Sequence, residues 1–287
     1  MNRLFGILVT SAWLLCMAAL YQRDVAPFWQ AQDPPGRPIP PGAFQVAIHN
    51  GAGDRLGTTW VRTASRPSYT TVFSTTLMNL DTLSIGLPIR GKLYFDTDLL
   101  YNEGETLQEF TVRLDTPALA ARVEGMRYNQ EFACTLKVGE LTRQMAFNGQ
   151  LSKYLGDSIR PFTYLRDLHV GQSWRIRLID PLALIMKGSL DFQSALVRVS
   201  RRESIEHQGQ SVECFRIETD GTIAWADDSG RVLRQEVQIP LLGTWILTDE
   251  PFDPREIKLA KEGVRHLREA RSKAGTGEAL TGVLPID

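Results

Sequence analysis

Cysteine is the side chain best suited to nucleophilic catalysis, and the chain contains three, Cys16, Cys134 and Cys214. Cys134 shares one face of a predicted strand with Phe132 and Leu136, which indicates a small core residue. Cys214 falls on the polar face of its own predicted strand. A Cys134–Cys214 disulfide would suit an oxidising compartment, but the two face assignments argue against it. A cysteine-dependent enzyme is therefore only a remote third hypothesis.

The histidines and carboxylates do not form a recognisable catalytic or metal-binding pattern. His49, His169, His207 and His266 are far apart and lack the spacing of metal ligands. The tightest acidic pair, at positions 227 and 228, precedes Ser-Gly, which is typical of a hairpin turn. The sequence has neither a G-x-S-x-G elbow nor a glycine-rich phosphate loop. It predicts no catalytic, cofactor-binding or metal-binding residue, and a protein that is not an enzyme.

Composition limits the classes of protein that remain. The chain has 287 residues, of which 43% are hydrophobic and 23% charged, so it is expected to fold rather than stay disordered. The net charge of −1 argues against a nucleic-acid-binding protein, which usually carries a basic excess.

The N-terminal segment predicts export. Residues 4–20 carry no charge and are flanked by Arg3 and Arg23. As a helix they would rise about 25 Å, the short end of a membrane span. A signal anchor over residues 1–23 is the first interpretation, and a cleaved signal peptide and a buried core helix are the alternatives. Leu15 before Cys16 does not fit a lipoprotein site. We expect a single-pass protein of the cytoplasmic membrane whose bulk lies on the periplasmic side.

The rest of the chain divides into a spacer, a β domain and a helix. Residues 24–42 are rich in proline and predict a semi-rigid linker. Residues 43–252 alternate apolar and polar side chains between turn signals, as in the hairpin at 221–239. Further strands are predicted at 43–49, 58–63, 68–75, 92–97, 106–114, 131–138, 141–147, within 170–181, and at 189–200, 212–219 and 244–248. They predict a mainly β fold, a large curved antiparallel sheet in the form of a half-barrel or open barrel, with a short internal helix at 161–168.

The last segment, residues 253–287, predicts a charged helix and a frayed tail. Its apolar positions recur at helical spacing and form a narrow stripe, Ile257, Ala260, Val264 and Leu267. The stripe favours a solvated helix that rests lightly on the sheet over one that binds a membrane or a partner.

Three stretches resemble a loose group of exported bacterial β domains: F-Q-V-A-I-H-N-G-A-G-D-R-L-G, V-G-Q-S-W-R-I-R-L-I-D-P and W-A-D-D-S-G-R-V-L-R-Q-E. The group includes the strand-rich domain that precedes bacterial transglutaminase-like catalytic domains, and periplasmic half-barrels similar to Lol-type lipoprotein carriers. The resemblance implies a periplasmic curved sheet around a central helix, and in the carriers the concave face holds acyl chains. The Cys-His-Asp site of the transglutaminases has no counterpart here.

Two hypotheses for function follow. The first is a membrane-anchored, envelope-facing, non-enzymatic accessory or binding domain, with a lipid or other apolar ligand on its concave face. The second is an interaction subunit of an envelope complex, which would contact a protein partner through edge strands or the basic C-terminal helix.

Overall fold

The computed structural model describes residues 2–21, 41–82, 91–103, 106–129, 131–148, 155–157, 162, 164, 165, 167–179, 192–239 and 242–275. Two helices are described, α1 (Asn2–Leu20) and α2 (Pro254–Gly275), and fifteen strands form a single sheet. The strands are β1 (Gly42–Asn50), β2 (Arg55–Arg66), β3 (Tyr69–Asn79), β4 (Lys92–Asn102), β5 (Leu107–Asp115), β6 (Ala120–Tyr128), β7 (Glu131–Val138), β8 (Leu141–Asn148), β9 (Leu155–Asp157), β10 (Ser173–Ile179), β11 (Phe192–His207), β12 (Gln210–Thr219), β13 (Thr222–Ala226), β14 (Val232–Ile239) and β15 (Gly243–Glu250).

The strands follow one another as a meander that begins and ends in the middle of the sheet. Strand β1 pairs with β2 on one side and with the last strand, β15, on the other. The strand order runs from β8 through β1 to β15 and then back to β9. All pairings are antiparallel except that of β9 with β10. Strands β8 and β9 thus form the two edges among the described residues.

Chain connectivity requires this sheet to curl. A flat sheet of fifteen strands would hold its edges about 65 Å apart. Only residues 149–154 join Asn148 at the end of β8 to Leu155 at the start of β9, so these two points lie within about 25 Å of each other. The predicted fold class is therefore confirmed at the level of a large, curved, mainly antiparallel sheet that does not close into a barrel.

The strand predictions missed two elements, β6 and β9. Strand β6 contains small and charged residues instead of a clear apolar alternation. It also contains Gly125, where an added Cβ would lie 2.1 Å from Cε1 of Phe110 and 2.8 Å from Sγ of Cys134. The lack of a side chain at this position lets the neighbouring strands fill the space above it.

The prediction of a short helix at 161–168 is wrong for the described residues of that segment. Tyr164 forms an isolated antiparallel bridge with Arg231, and Phe162 and Leu165 lie in irregular backbone. The backbone N–H of Leu165 donates to the carbonyl of Gly230 at 2.8 Å. The segment satisfies its polar backbone groups on the β13–β14 hairpin, so it does not need the hydrogen bonds of a helix.

The buried apolar side chains lie mainly on one face of the sheet, which we call the inner face because the sheet curls around it. Residues that pair directly across neighbouring strands follow the inner face from β1 through β15 to β11: Ile48, Leu247, Gln235, Ala224, Ile217 and Val199. Another line crosses β1 to β7: Phe44, Val61, Ser74, Thr97, Val112, Val123 and Leu136.

The hairpin at 221–239 departs from its predicted alternation at one residue. The sequence pattern places Leu233 on the same face as Val237 and Ile239. The pairing of β13 with β14 shifts between Trp225 and Ala226. Leu233 consequently packs with Trp225 on the opposite, outer face, while Val237 and Ile239 belong to the inner face.

Helix α2 packs against the outer face of the sheet. Ala260 and Val264 of its apolar stripe are buried, in agreement with the predicted pattern. At its N-terminal end the amide of Gln45 donates to Glu256 at 3.0 Å, and the backbone N–H of Asp253 donates to Oε1 of Gln45 at 3.0 Å. Polar contacts thus fix the helix at its start as well as along its length.

Part of the N-terminal prediction lies outside the described residues. The linker falls almost wholly in residues 22–40, which are not described, and in helix α1 the side chains are described from Val9 onward. Within the described residues, no helix combines the length and the apolar character needed to cross a membrane. The side chains from Val9 to Tyr21 are all exposed.

Candidate functional site

The two cysteines of the β domain are buried thiols on opposite faces of the sheet. Cys134 packs with Phe132 and Leu136 in the core of the inner face, as predicted. Cys214 packs with Trp225 on the outer face. Both thiols are free, so no disulfide joins them. Burial raises the pKa of Cys134 to about 12 and that of Cys214 to about 11, and both are therefore fully protonated at neutral pH.

The structure brings together a histidine, an aspartate and an arginine that are separate in the sequence. Nε2 of His207 lies 3.7 Å from Oδ2 of Asp249. Arg231 donates two hydrogen bonds to Oδ1 of Asp249, at 2.8 and 3.2 Å. Burial raises the pKa of the Asp249 carboxyl, although Arg231 opposes the shift. His207 is the last residue of β11, directly before the predicted turn.

This cluster has the character of a structural contact around the buried carboxylate of Asp249. No group of three or more His, Cys, Asp or Glu side chains is arranged to hold a metal ion in the part of the chain that the structure describes. Both guanidinium hydrogen bonds go to a single carboxylate oxygen, and the other oxygen faces His207. The arrangement joins the tip of the β11–β12 hairpin to β15.

The acidic pair at 227 and 228 forms the predicted turn. Oδ1 of Asp227 accepts hydrogen bonds from the backbone N–H of Ser229 at 2.9 Å and of Arg231 at 3.0 Å. Gly230 has a φ of 89°, a conformation that glycine adopts without strain. Asp228 pairs with Arg202 at 2.6 Å. The two carboxylates are therefore engaged in contacts that stabilise the hairpin.

The inner face carries three of the four buried apolar clusters of the described residues. Phe44 and Val138 pack against two of its clusters, which are therefore contiguous across β1–β8, β14 and β15. A further cluster covers β10–β14. The largest side chains in these clusters are almost fully buried: Trp174, Trp245 and Phe132.

Three buried polar atoms on this inner face have no hydrogen-bond partner among the described residues. They are Nε1 of Trp245 and the hydroxyl oxygens of Thr63 and Thr219. Trp245 pairs directly with Val237, Thr63 with Val72 and Thr219 with Thr222. Because these three partners are inner-face residues, the side chains with the unpaired atoms face inward too. A buried donor without an acceptor costs about 1–3 kcal/mol. The inner face therefore combines apolar surface with a few polar groups able to bind a ligand atom.

Residues 162, 164 and 165 cover the β10–β14 part of the inner face, and we call them the cover segment. Phe162 and Leu165 are buried in that cluster. The side chain of Gln235 holds the segment, since Nε2 donates to the carbonyl of Phe162 at 2.7 Å and Oε1 accepts from its N–H at 3.2 Å. Apart from these bonds, the described attachments are the Leu165 hydrogen bond and the Tyr164 bridge.

A cavity of about 350 Å3 lies on the side of the sheet that α2 covers, where β5, β6 and β7 meet the C-terminal half of the helix. Its charged lining consists of four cations and one carboxylate: Arg113, Arg122, Lys137, Arg268 and Asp115. The remaining lining residues are small: Ala120, Ala121 and Gly139. We call this cavity the basic pocket.

Sequence reasoning missed both the cover contact and the basic pocket. A signal for the first was available, because Gln235 is polar at a position that alternates with Val237 and Ile239. The second depends on strand register, and the strand that carries Arg122 was not predicted.

Comparisons of the chain with protein-family models, with curated proteins and with solved structures yielded no match. The geometry of the inner face, the cover segment and the basic pocket is therefore the basis for assigning a function.

Proposed function

We propose that this protein is a non-enzymatic binding domain of the bacterial cell envelope, anchored in the cytoplasmic membrane by residues 4–20, which holds an apolar ligand such as an acyl chain on the inner face of its sheet. The observation that carries the proposal is the cover segment. It places two apolar side chains, Phe162 and Leu165, on the inner face while its described polar contacts go to the β13–β14 hairpin and to Gln235 of β14.

Such a segment is suited to exchange with a ligand. Burial of apolar surface is worth about 25 cal/mol per Å2 and depends little on which apolar group is buried. An acyl chain can therefore take the place of Phe162 and Leu165 without loss of apolar contact. The main energetic cost is that of breaking a few hydrogen bonds, each of which contributes about 1 kcal/mol net.

The unpaired donors of the inner face indicate what else the ligand carries. The indole N–H of Trp245 is buried without an acceptor among the described residues. A ligand with an ester or carboxyl oxygen would supply that acceptor and recover the cost of the unpaired group. Acyl lipids combine such an oxygen with an apolar chain. The resemblance of the sequence to Lol-type carriers agrees with this ligand class.

The exposed side chains of α1 support the membrane anchor. They include large apolar residues, Val9, Trp13, Leu14, Leu15, Met17 and Leu20. Large apolar side chains that are exposed along one helix are unfavourable in water and favourable in a bilayer. The uncharged residues 4–20 between Arg3 and Arg23 fit an anchor whose N-terminus stays in the cytoplasm.

The state of the thiols supports a binding role over a catalytic one. A catalytic cysteine is a thiolate in an accessible, electropositive site. Burial raises the pKa of both Cys134 and Cys214 well above neutrality.

The proposal is tested by the lipid content of the full-length protein. The protein is extracted from membranes in a mild detergent, and the bound molecules are identified by native mass spectrometry. We expect a stoichiometric acyl lipid that is retained through purification. Protein that is free of lipid after mild extraction, and that takes up none from added lipid, would contradict the proposal.

A second candidate function is favoured by the edge of the sheet. Strand β8 pairs only with β7 among the described strands, and its first four residues, Leu141–Gln144, are exposed. An exposed strand edge is a template for addition of a strand from a partner. We propose this interaction role as the alternative. The test is cross-linking from an exposed position of β8, such as Thr142, which should capture a specific envelope protein if the alternative is correct.

A further inference from the structure

We propose that the basic pocket is a binding site for a phosphate-class oxyanion, separate from the apolar inner face. Its cations come from four elements: Arg113 from β5, Arg122 from β6, Lys137 from β7 and Arg268 from α2. The proposal goes beyond an apolar ligand because it assigns a charged ligand to the outer face.

Asp115, the only carboxylate among the described lining residues of the pocket, already has partners. Oδ2 of Asp115 accepts two hydrogen bonds from Arg268, at 2.6 and 3.0 Å, and Oδ1 accepts one from Arg271 at 2.9 Å. Asp115 is also buried. Its charge is balanced by these two arginines, and it does not neutralise the cations that β5, β6 and β7 contribute.

Strand register places those cations side by side. Arg113 is directly opposite Arg122, and Arg122 is directly opposite Lys137. Neighbouring strands are about 4.8 Å apart, so the three side chains start within about 10 Å of one another on one face. Like charges in this arrangement repel each other and destabilise a sheet. An oxyanion bound between them would remove that repulsion.

The acidic partners of these cations lie outside the pocket lining. Arg268 lies 3.5 Å from Asp96, which is directly opposite Arg113. Arg113 pairs with Asp98 at 3.0 Å, and Arg122 pairs with Glu124. Both pairs are partly exposed, and such ion pairs are weak. Lys137 makes no ion pair or hydrogen bond with any residue that the structure describes. One cation is thus available to a ligand, and two others can turn toward it at low cost.

The size and donor chemistry of the pocket define the ligand class. A cavity of about 350 Å3 is at the lower end of small-molecule sites, which span roughly 300–1,000 Å3. The small side chain of Ala120, together with Gly139, leaves that space unfilled. Several guanidinium groups favour an anion with several oxygens, because each group can bind two of them. A phosphate ester meets these conditions.

The experiment uses the full-length protein in a non-ionic detergent and two soluble probes. Glycerol 3-phosphate is a free phosphate monoester, and glycerophosphoglycerol is the diester headgroup of an anionic phospholipid. Isothermal titration calorimetry is carried out on the wild type, on Lys137→Ala and on Lys258→Ala. Lys258 is an exposed lysine of α2 outside the pocket lining and serves as the matched control.

We expect saturable binding of at least one probe to the wild type. Lys137→Ala should raise the Kd of that probe about tenfold, because one charge-assisted hydrogen bond is lost. Lys258→Ala should bind as the wild type does. Tighter binding of the monoester identifies a free phosphate compound as the ligand class, and equal or tighter binding of the diester identifies a lipid headgroup. The absence of saturation below about 10 mM of either probe, or an equal loss in the two variants, would overturn the proposal. Lys137 is exposed and has no partner among the described residues, so its removal should not change stability. An unchanged urea midpoint is the check that Lys137→Ala is folded.

Discussion

Arg268 of α2 and Asp115 of β5 form a two-hydrogen-bond ion pair, with distances of 2.6 and 3.0 Å to one carboxylate oxygen. The pair joins residues that are 153 positions apart in the chain. Arg271, one helical turn further, binds the other oxygen of Asp115 and also donates to the backbone carbonyl of Thr116. The helix that the sequence predicts to rest lightly on the sheet is therefore fixed to it through a buried carboxylate.

Substitution of Asp115 by Asn should destabilise the protein. The change leaves Arg268 and Arg271 beside a neutral group, and removal of one partner from a buried pair costs several kcal/mol. Because the side chain of Arg268 is 44% exposed, we expect a smaller loss, about 2 kcal/mol in the free energy of unfolding from urea titration. The control is Glu269→Gln, whose 3.8 Å pair with Arg265 is exposed and should change stability by less than about 0.5 kcal/mol. Equal effects of the two variants would contradict the docking role of Asp115.

Substitution of Gln235 by Ala should release the cover segment. The change leaves the buried N–H and C=O of Phe162 without partners, which costs about 2 kcal/mol in the free energy of unfolding. The matched control is Gln238→Ala, an exposed glutamine on the same strand that should have little effect. If the segment covers a ligand site, Gln235→Ala should also increase the uptake of a fluorescent fatty acid. Lower stability with unchanged uptake would restrict Gln235 to a structural role.

The buried thiols should resist modification in the native state. In a Cys16→Ser background, we expect a bulky maleimide to leave Cys134 and Cys214 unmodified at pH 8 and to modify both in urea. The sign of the linked pH effect follows from the raised pKa values. The contribution of the thiols to stability is complete below the unfolded pKa of about 9. It is lost as pH rises toward the folded values, about 11 for Cys214 and about 12 for Cys134. Rapid native modification of either thiol would reopen the enzyme hypothesis.

Export can be measured by protease accessibility. Cells that express the full-length protein are fractionated, and protease is added to spheroplasts. An anchor at residues 4–20 predicts that the protein is in the membrane pellet and that its β domain is digested. A shorter, soluble periplasmic form would indicate a cleaved signal peptide. Full-length protein in the cytosol, protected in intact spheroplasts, would contradict export.

The sequence is most informative where one physical rule decides the structure. Strand β7 has the predicted bounds, Glu131–Val138, because its inward residues Phe132, Cys134 and Leu136 alternate with residues that are exposed or half-buried. The predicted apolar stripe of α2 is likewise confirmed for Ala260 and Val264, which are both buried. In these elements local periodicity and burial agree.

The features that the sequence did not predict depend on contacts between distant residues, and a local sequence pattern does not show such contacts. Strand β6 is unclear in sequence because Gly125 leaves its share of the inner face to Phe110 and Cys134 of neighbouring strands. Within the predicted helix at 161–168, the described residue Phe162 instead bonds its backbone groups to Gln235, a residue of a strand far along the chain. The basic pocket requires the register of three strands and the position of a helix, which only the folded structure supplies.

The central claim, an apolar ligand that takes the place of the cover segment on the inner face, is tested most directly by photo-cross-linking from position 162, which then lies beside the ligand. A photoreactive phenylalanine analogue replaces Phe162 in full-length protein expressed in cells, and the same analogue at Phe73, 45% exposed on the outer face, is the control. After illumination, the mass of the purified protein reports any covalent adduct. We predict an acyl-lipid adduct at position 162 and none of comparable yield at position 73. Unmodified protein at position 162, or equal lipid labelling at both positions, would contradict the account.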